Sequence, residues 1–199
     1  MEKSIVEQVI AIAIKKEEER LKPFKEKVYQ DFKENFSKRA EALKPWTAIG
    51  GKYYQFNVTK IVRYGFDRQD FIKICKDLGF DVYLSSHSDI IEISIPECTE
   101  QEKTPAQVLL EQFNVDFKKA IKAEEAIAEE TCKEVLKRLC DGDFKVVDVL
   151  DNKYLLDIIV KSGRSNNYFK SKAVEIMAQN GFKLVFNTDT SWRFVIYSD

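Results

Sequence analysis

Apolar residues recur along this chain at two periods, and each change of period falls at a capping or turn residue. From Phe24 the period is four: Phe24, Val28, Phe32, Phe36 and Ala40 share one face of a helix. Upstream, Ser4-Ile5-Val6-Glu7 has the spacing of a capping box, in which serine and glutamate each satisfy the other's backbone N–H. A helix is predicted from Ser4 to about Leu43–Pro45. A kink or break is predicted near Lys22, because Pro23 has no N–H and crowds the preceding turn. A second long helix opens at Thr104-Pro105-Ala106-Gln107, with proline at the first helical position. Leu109, Phe113, Phe117, Ile121, Ile127, Val135 and Leu139 carry its apolar face to Cys140-Asp141-Gly142, where glycine suits a left-handed cap.

Period two follows each long helix. Phe144–Val149 and Tyr154–Val160 alternate around Asp151-Asn152 and read as a hairpin, and Trp46–Ile49 and Tyr53–Val58 flank Gly50-Gly51 as a shorter one. Asp67 is placed to cap a short helix over Arg68–Leu78, and Asn166 or Asn167 to cap one over Tyr168–Gln179. Gly79 and Gly181 end them. Strands Phe80–Leu84 and Phe182–Phe186 then turn into Ile90–Ile95 and Trp192–Tyr197.

The same order thus occurs twice. Gly79 pairs with Gly181, Phe80 with Phe182 and Ile74 with Ile176 at one constant offset, and Lys52-Tyr53 pairs with Lys153-Tyr154 after a one-residue slip. The expected fold is α+β: a tandem repeat of a long helix followed by a β(β)αββ module with mainly antiparallel sheets. The repeats are expected over residues 1–98 and 104–199, joined by a polar linker from Glu97 to Lys103. The sequence leaves open whether the helix before Pro23 packs back on its module or stands as an arm.

Gly51-Lys52-Tyr53, Leu78-Gly79-Phe80-Asp81-Val82 and Ile91-Glu92-Ile93-Ser94-Ile95 behind a long helix resemble small α+β proteins encoded by phages and prophages of low-GC Gram-positive bacteria. The second copy departs from that pattern at Asn152 and Asn180. The resemblance implies a phage or prophage origin and supplies no mechanism.

Composition narrows the function classes. A charged fraction of 33% with net charge −1 lacks the overall basicity of a general nucleic-acid binder, and 44% apolar residues with 14 Phe are enough for a core in each half. Charge is uneven, with six basic residues against two acidic from Lys52 to Lys76, and thirteen acidic against four lysines from Asp77 to Glu130. No apolar run approaches the roughly 20 residues that span a bilayer, so no membrane partner is expected. The four cysteines form no C-x-x-C pair and read as reduced thiols of a cytoplasmic protein. With a single histidine, a metal site has few ligands to draw on.

Two loops carry the candidate chemistry. Lys60 and Arg63, followed by Arg68, precede the first short helix, and Lys161 and Arg164 precede the second. Each loop brings lysine and arginine to a helix N-terminus, whose unpaired N–H groups favour an anion. Tyr53, Tyr54 and Tyr64 are available to stack on a base. The competing reading is a solvated connection, since neither loop has a P-loop or dinucleotide-binding pattern. Ser85-Ser86-His87-Ser88-Asp89 is contiguous and cannot form a nucleophile–base–orienter geometry, so it reads as a hairpin turn. The acidic runs alternate with lysines as a solvated face, and Trp46, Trp192, Phe194 and Tyr197 read as packing residues. The sequence therefore points to a non-catalytic protein-interaction protein, a virion component or a host-factor inhibitor, with no cofactor. The alternative is a nucleic-acid- or nucleotide-binding module using the paired Lys/Arg loops.

Overall fold

The structure is a computed structural model, and it describes residues 4–44, 53–57, 65, 67–84, 90–96, 103–150, 153–160, 166–187 and 190–197. Over these residues the chain is α+β, with four helices and two antiparallel sheets. It packs as two units, Met1–Phe117 and Lys118–Asp199.

In the first unit, α1 (Ile5–Glu41) starts at the capping box. Ser4 N donates to the Glu7 carboxylate at 2.8 Å, and Glu7 N donates to Ser4 Oγ at 3.2 Å. The helix runs unbroken through Pro23, so the break expected near Lys22 does not occur. Proline in a helix costs about 3 kcal/mol, whereas each large aliphatic or phenyl side chain buried by the following turns contributes about 1.5–3 kcal/mol. Leu21, Val28, Phe32, Phe36 and Ala40 are all buried, which outweighs one lost bond. The helix ends with Leu43 at φ +52° and Lys44 N donating to Arg39 O at 2.9 Å.

The sheet of this unit has the order β1-β3-β2, from β1 (Tyr53–Asn57), β2 (Asp81–Leu84) and β3 (Ile90–Ser94). Its register sets Tyr54 opposite Ile93 and Phe56 opposite Ile91, with Val82 opposite Ile93 on the other side. Between β1 and β2 lies α2 (Arg68–Asp77), capped by Asp67, whose carboxylate accepts from Asp70 N at 2.8 Å. Phe71, Ile74, Cys75 and Leu78 bury its inner face. Gly79 at φ +90° closes it, with Phe80 N donating to Cys75 O at 3.0 Å and Gly79 N to Lys76 O at 2.9 Å. Phe32 meets Phe80 at 4.8 Å between ring centroids, and Ile91 and Ile93 complete the core with Ala106, Leu109 and Phe113.

Those last three residues belong to the first turns of α3 (Pro105–Cys140). Thr104 and Gln107 form its capping box at 2.8 and 3.3 Å, and Ala106 N donates to Leu78 O at 2.9 Å. The division between units therefore falls inside α3, at Phe117/Lys118, downstream of the polar stretch 97–103.

In the second unit, Ala128, Cys132, Val135 and Leu139 of α3 face the core. Gly142 at φ +78° ends the helix, with Asp143 N donating to Arg138 O at 2.9 Å. The sheet has the order β4-β5-β7-β6, from β4 (Lys145–Leu150), β5 (Lys153–Ile159), β6 (Lys183–Asn187) and β7 (Ser191–Tyr197). Register shifts between Val146 and Asp148 and between Leu184 and Phe186 mark irregularities on both outer strands. Asn166 caps α4 (Asn167–Gln179) by accepting from Phe169 N at 3.0 Å. Phe169, Ala173 and Met177 pack with Leu156, Ile158, Trp192 and Phe194. Tyr197, grouped with the packing aromatics from sequence, is 54% exposed, because strand alternation sets it on the face opposite Trp192 and Phe194. Trp46, the strand expected over 46–49 and the turn 85–89 with His87 lie outside the described residues.

Candidate functional site: the first turns of helix α1

The Lys/Arg loops enter the structure only at their ends. Lys60, Arg63, Tyr64, Lys161 and Arg164 lie outside the described residues. Tyr53 and Tyr54 sit on β1, opposite Ser94 and Ile93. Arg68 occupies the first position of α2, half-buried, and its Nε has no hydrogen-bond partner among the described residues.

Both helix N-termini that follow these loops in sequence hold carboxylates of the chain itself. At α2, Asp70 sits in the first turn beside the Asp67 cap, and both its oxygens accept from Arg20 of α1, at 2.9 and 2.6 Å. Arg20 also pairs with Glu17 at 2.9 Å, and Lys73 stands 3.6 Å from Glu17. The hydrogen bond from Arg20, with Lys73 adding to it, holds the Glu17 carboxyl down at about 2, and the hydrogen bonds to Glu17 and Asp70 raise the arginine. At α4, Glu124 is buried and accepts from Asn166 Nδ2 at 2.8 Å, while Asn166 Oδ1 holds the cap. The sequence placed Glu124 on a solvated face of alternating acids and lysines. Its position on the stripe of α3, four residues before Ala128, was the available signal.

Between α1 and α2 lies an open groove of about 400 Å³ lined by Lys15, Glu18, Glu19, Leu21, Lys22, Lys25, Lys73 and Asp77. A neighbouring hollow of about 560 Å³ runs past Pro23 to Tyr29. Four lysines and three acids line the groove, with Lys25 reaching Asp77 at 4.0 Å, so it carries no concentrated charge of one sign. The buried thiols are not poised as nucleophiles: burial pushes Cys75 up strongly and Cys132 to about 11. Among the described residues no three His, Cys, Asp or Glu side chains cluster as a metal site would require, and no described helix is long and apolar enough to cross a membrane.

The feature that departs furthest from an ordinary soluble surface is the first three turns of α1. No residue from Ser4 to Lys16 is buried. Ile5, Val6, Val9, Ile10, Ile12 and Ile14 are between 53% and 79% exposed. The capping box fixes where this arm begins, and its base is anchored by the Arg20–Asp70 pair and by buried Leu21. Six large aliphatic side chains so exposed within three turns exceed the singly scattered apolar residues of an ordinary surface.

No protein-family model, no curated protein and no solved structure matches the chain.

Proposed function

We propose that this chain is a non-catalytic interaction protein, phage- or prophage-encoded, that acts as a virion component or host-factor inhibitor by docking through the first turns of α1. The observation that carries the reading is the run of six large aliphatic side chains standing in solvent from Ile5 to Ile14. Such a run has no role in holding either core. Isoleucine and valine are mediocre helix formers, so a covering partner is the natural source of stability for this segment.

The second reading is an anion-binding module for nucleic acid or a nucleotide, built on Lys60, Arg63, Arg68, Lys161 and Arg164. The Nε of Arg68, without a hydrogen-bond partner among the described residues, favours it. Asp70 and Glu124 weigh against it, since a phosphate arriving at either helix end meets a resident carboxylate.

Capture of tagged protein from host cells, with and without nuclease and at low and high salt, separates the two. A docked protein partner survives both treatments and is lost from a Val9→Asp, Ile12→Asp variant. Phosphate-driven binding weakens steeply with salt and is lost when Lys60, Arg63, Lys161 and Arg164 become alanine. The second outcome, or a partner indifferent to the arm, overturns the proposal.

The two units are also inferred to be copies of one module. The strand order β5-β7-β6 repeats β1-β3-β2. The short helices close on matching bonds, Phe80 N to Cys75 O and Phe182 N to Met177 O, both 3.0 Å. The long helices do likewise, Lys44 N to Arg39 O and Asp143 N to Arg138 O, both 2.9 Å. The registers equate Tyr54 with Leu156 and Phe56 with Ile158, opposite Ile93 and Phe194 and opposite Ile91 and Trp192. That is one residue on from the pairing of Tyr53 with Tyr154. β4 then has no counterpart among the described residues of the first unit.

A further inference from the structure

We infer that the partner covering the α1 arm is the same arm of another copy of this chain, an inference that rests on the interaction reading above. The chemistry of the patch selects the occupant. Between Ile5 and Ile14 the exposed large side chains are all isoleucine or valine, and the segment holds no aromatic, arginine or methionine residue. Interfaces between separately stable proteins are enriched in those absent types, whereas permanent interfaces, those between identical chains among them, resemble a domain core cut in half. A lipid surface is a poorer match, because interfacial helices carry lysine and arginine opposite tryptophan, phenylalanine or leucine. The only charged residue in this segment is Glu7, which belongs to the cap.

The size fits as well. Six Ile and Val side chains at these exposures present on the order of 500 Å² of apolar surface per chain, so covering two arms in full would bury roughly the 1,000 Å² that a specific interface requires. The apolar positions spread over about 200° of the helix circumference at 100° per residue, whereas one neighbour covers a stripe of about 100°. Arms from more than two copies therefore bury the surface more completely than a single pair.

The test is sedimentation velocity and equilibrium on the purified full chain over a wide concentration range, comparing wild type with a Val9→Asp, Ile12→Asp variant and a Gln8→Asp control. Gln8 adds charge in the same turns but outside the apolar arc. All three positions are solvent-exposed, so urea unfolding of the cores is expected to match wild type and is measured on the same samples. The expected result is a reversible wild-type assembly of whole-number mass that persists at high salt. Association weakens at least about 100-fold in the double variant, and the control associates like wild type. A wild-type chain that remains monomeric throughout overturns the inference, and so does association that the double variant retains. If the monomeric chain still captures a different protein in an arm-dependent way, the interaction reading stands and only the identity of the occupant fails.

Discussion

Four residues with left-handed backbone close four helices, and they are not interchangeable. Leu43, Gly79, Gly142 and Gly181 all have φ between +52° and +90°. A Cβ at Gly181 would meet nothing, so Gly181→Ala is expected to cost only the left-handed penalty, about 1–2 kcal/mol. A Cβ at Gly79 would overlap the Thr104 side chain, which is held in the α3 capping box with Gln107. Gly79→Ala is therefore expected to cost at least about 1 kcal/mol more than Gly181→Ala by urea unfolding, because relieving the overlap disturbs a second helix start. The spacing of Gly79 and Gly181 was legible in sequence, but the approach of Thr104 was not, since it depends on where α3 docks. The Glu17 carboxyl makes a pH-dependent prediction. Its folded value of about 2 lies below its ordinary 4.5, so its contribution is fully present above 4.5 and disappears as pH falls from there towards 2. The gap in urea midpoint between wild type and Glu17→Gln should be open at about pH 6 and closed near pH 2. A gap that persists at the acid end would show that the side chain acts through packing.

At the scale of elements, starts and stops were the most legible features. Ser4/Glu7, Asp67, Thr104/Gln107 and Asn166 all cap helices as their spacing predicts, because a cap is a bond between residues two or three apart. Pro23 is the exception, where a local rule predicts a kink or a break and the helix continues without a break. Burial of Leu21 on one side and Val28 on the other, with Arg20 tied to Asp70, keeps both flanks helical. Restoring the N–H should then stabilise the protein: Pro23→Ala is expected to raise stability by about 1 kcal/mol, less than the full helix-interior penalty because Pro23 is exposed and water can reach the Glu19 carbonyl. A loss of stability on that substitution, measured by thermal unfolding, would mean that the helix depends on the backbone conformation that proline fixes. The apolar arm was legible as a run of isoleucine and valine, yet nothing local distinguishes an arm in solvent from a helix packed on its own sheet.

For the whole molecule, each unit has its own core, and a cavity in either should act first on its own sheet. Phe32→Ala is expected to lower amide protection in β3 and α2, and Phe169→Ala in β5 and β7, each by about 3–5 kcal/mol of local stability by hydrogen exchange. Protection falling equally in all these strands for either variant would show a single cooperative unit instead. The sequence by itself determined the helices, their caps, the succession of strands along the chain and the apolar faces of the long helices, because periodicity and capping depend on neighbours a few residues apart. Tertiary structure decided what depends on distant partners. It set Glu124 beneath the α4 cap, Asp70 on Arg20, Tyr197 on an outer face and the division between units inside α3. It also left the first turns of α1 uncovered, since burial is a property of what packs against a side chain and not of the side chain alone.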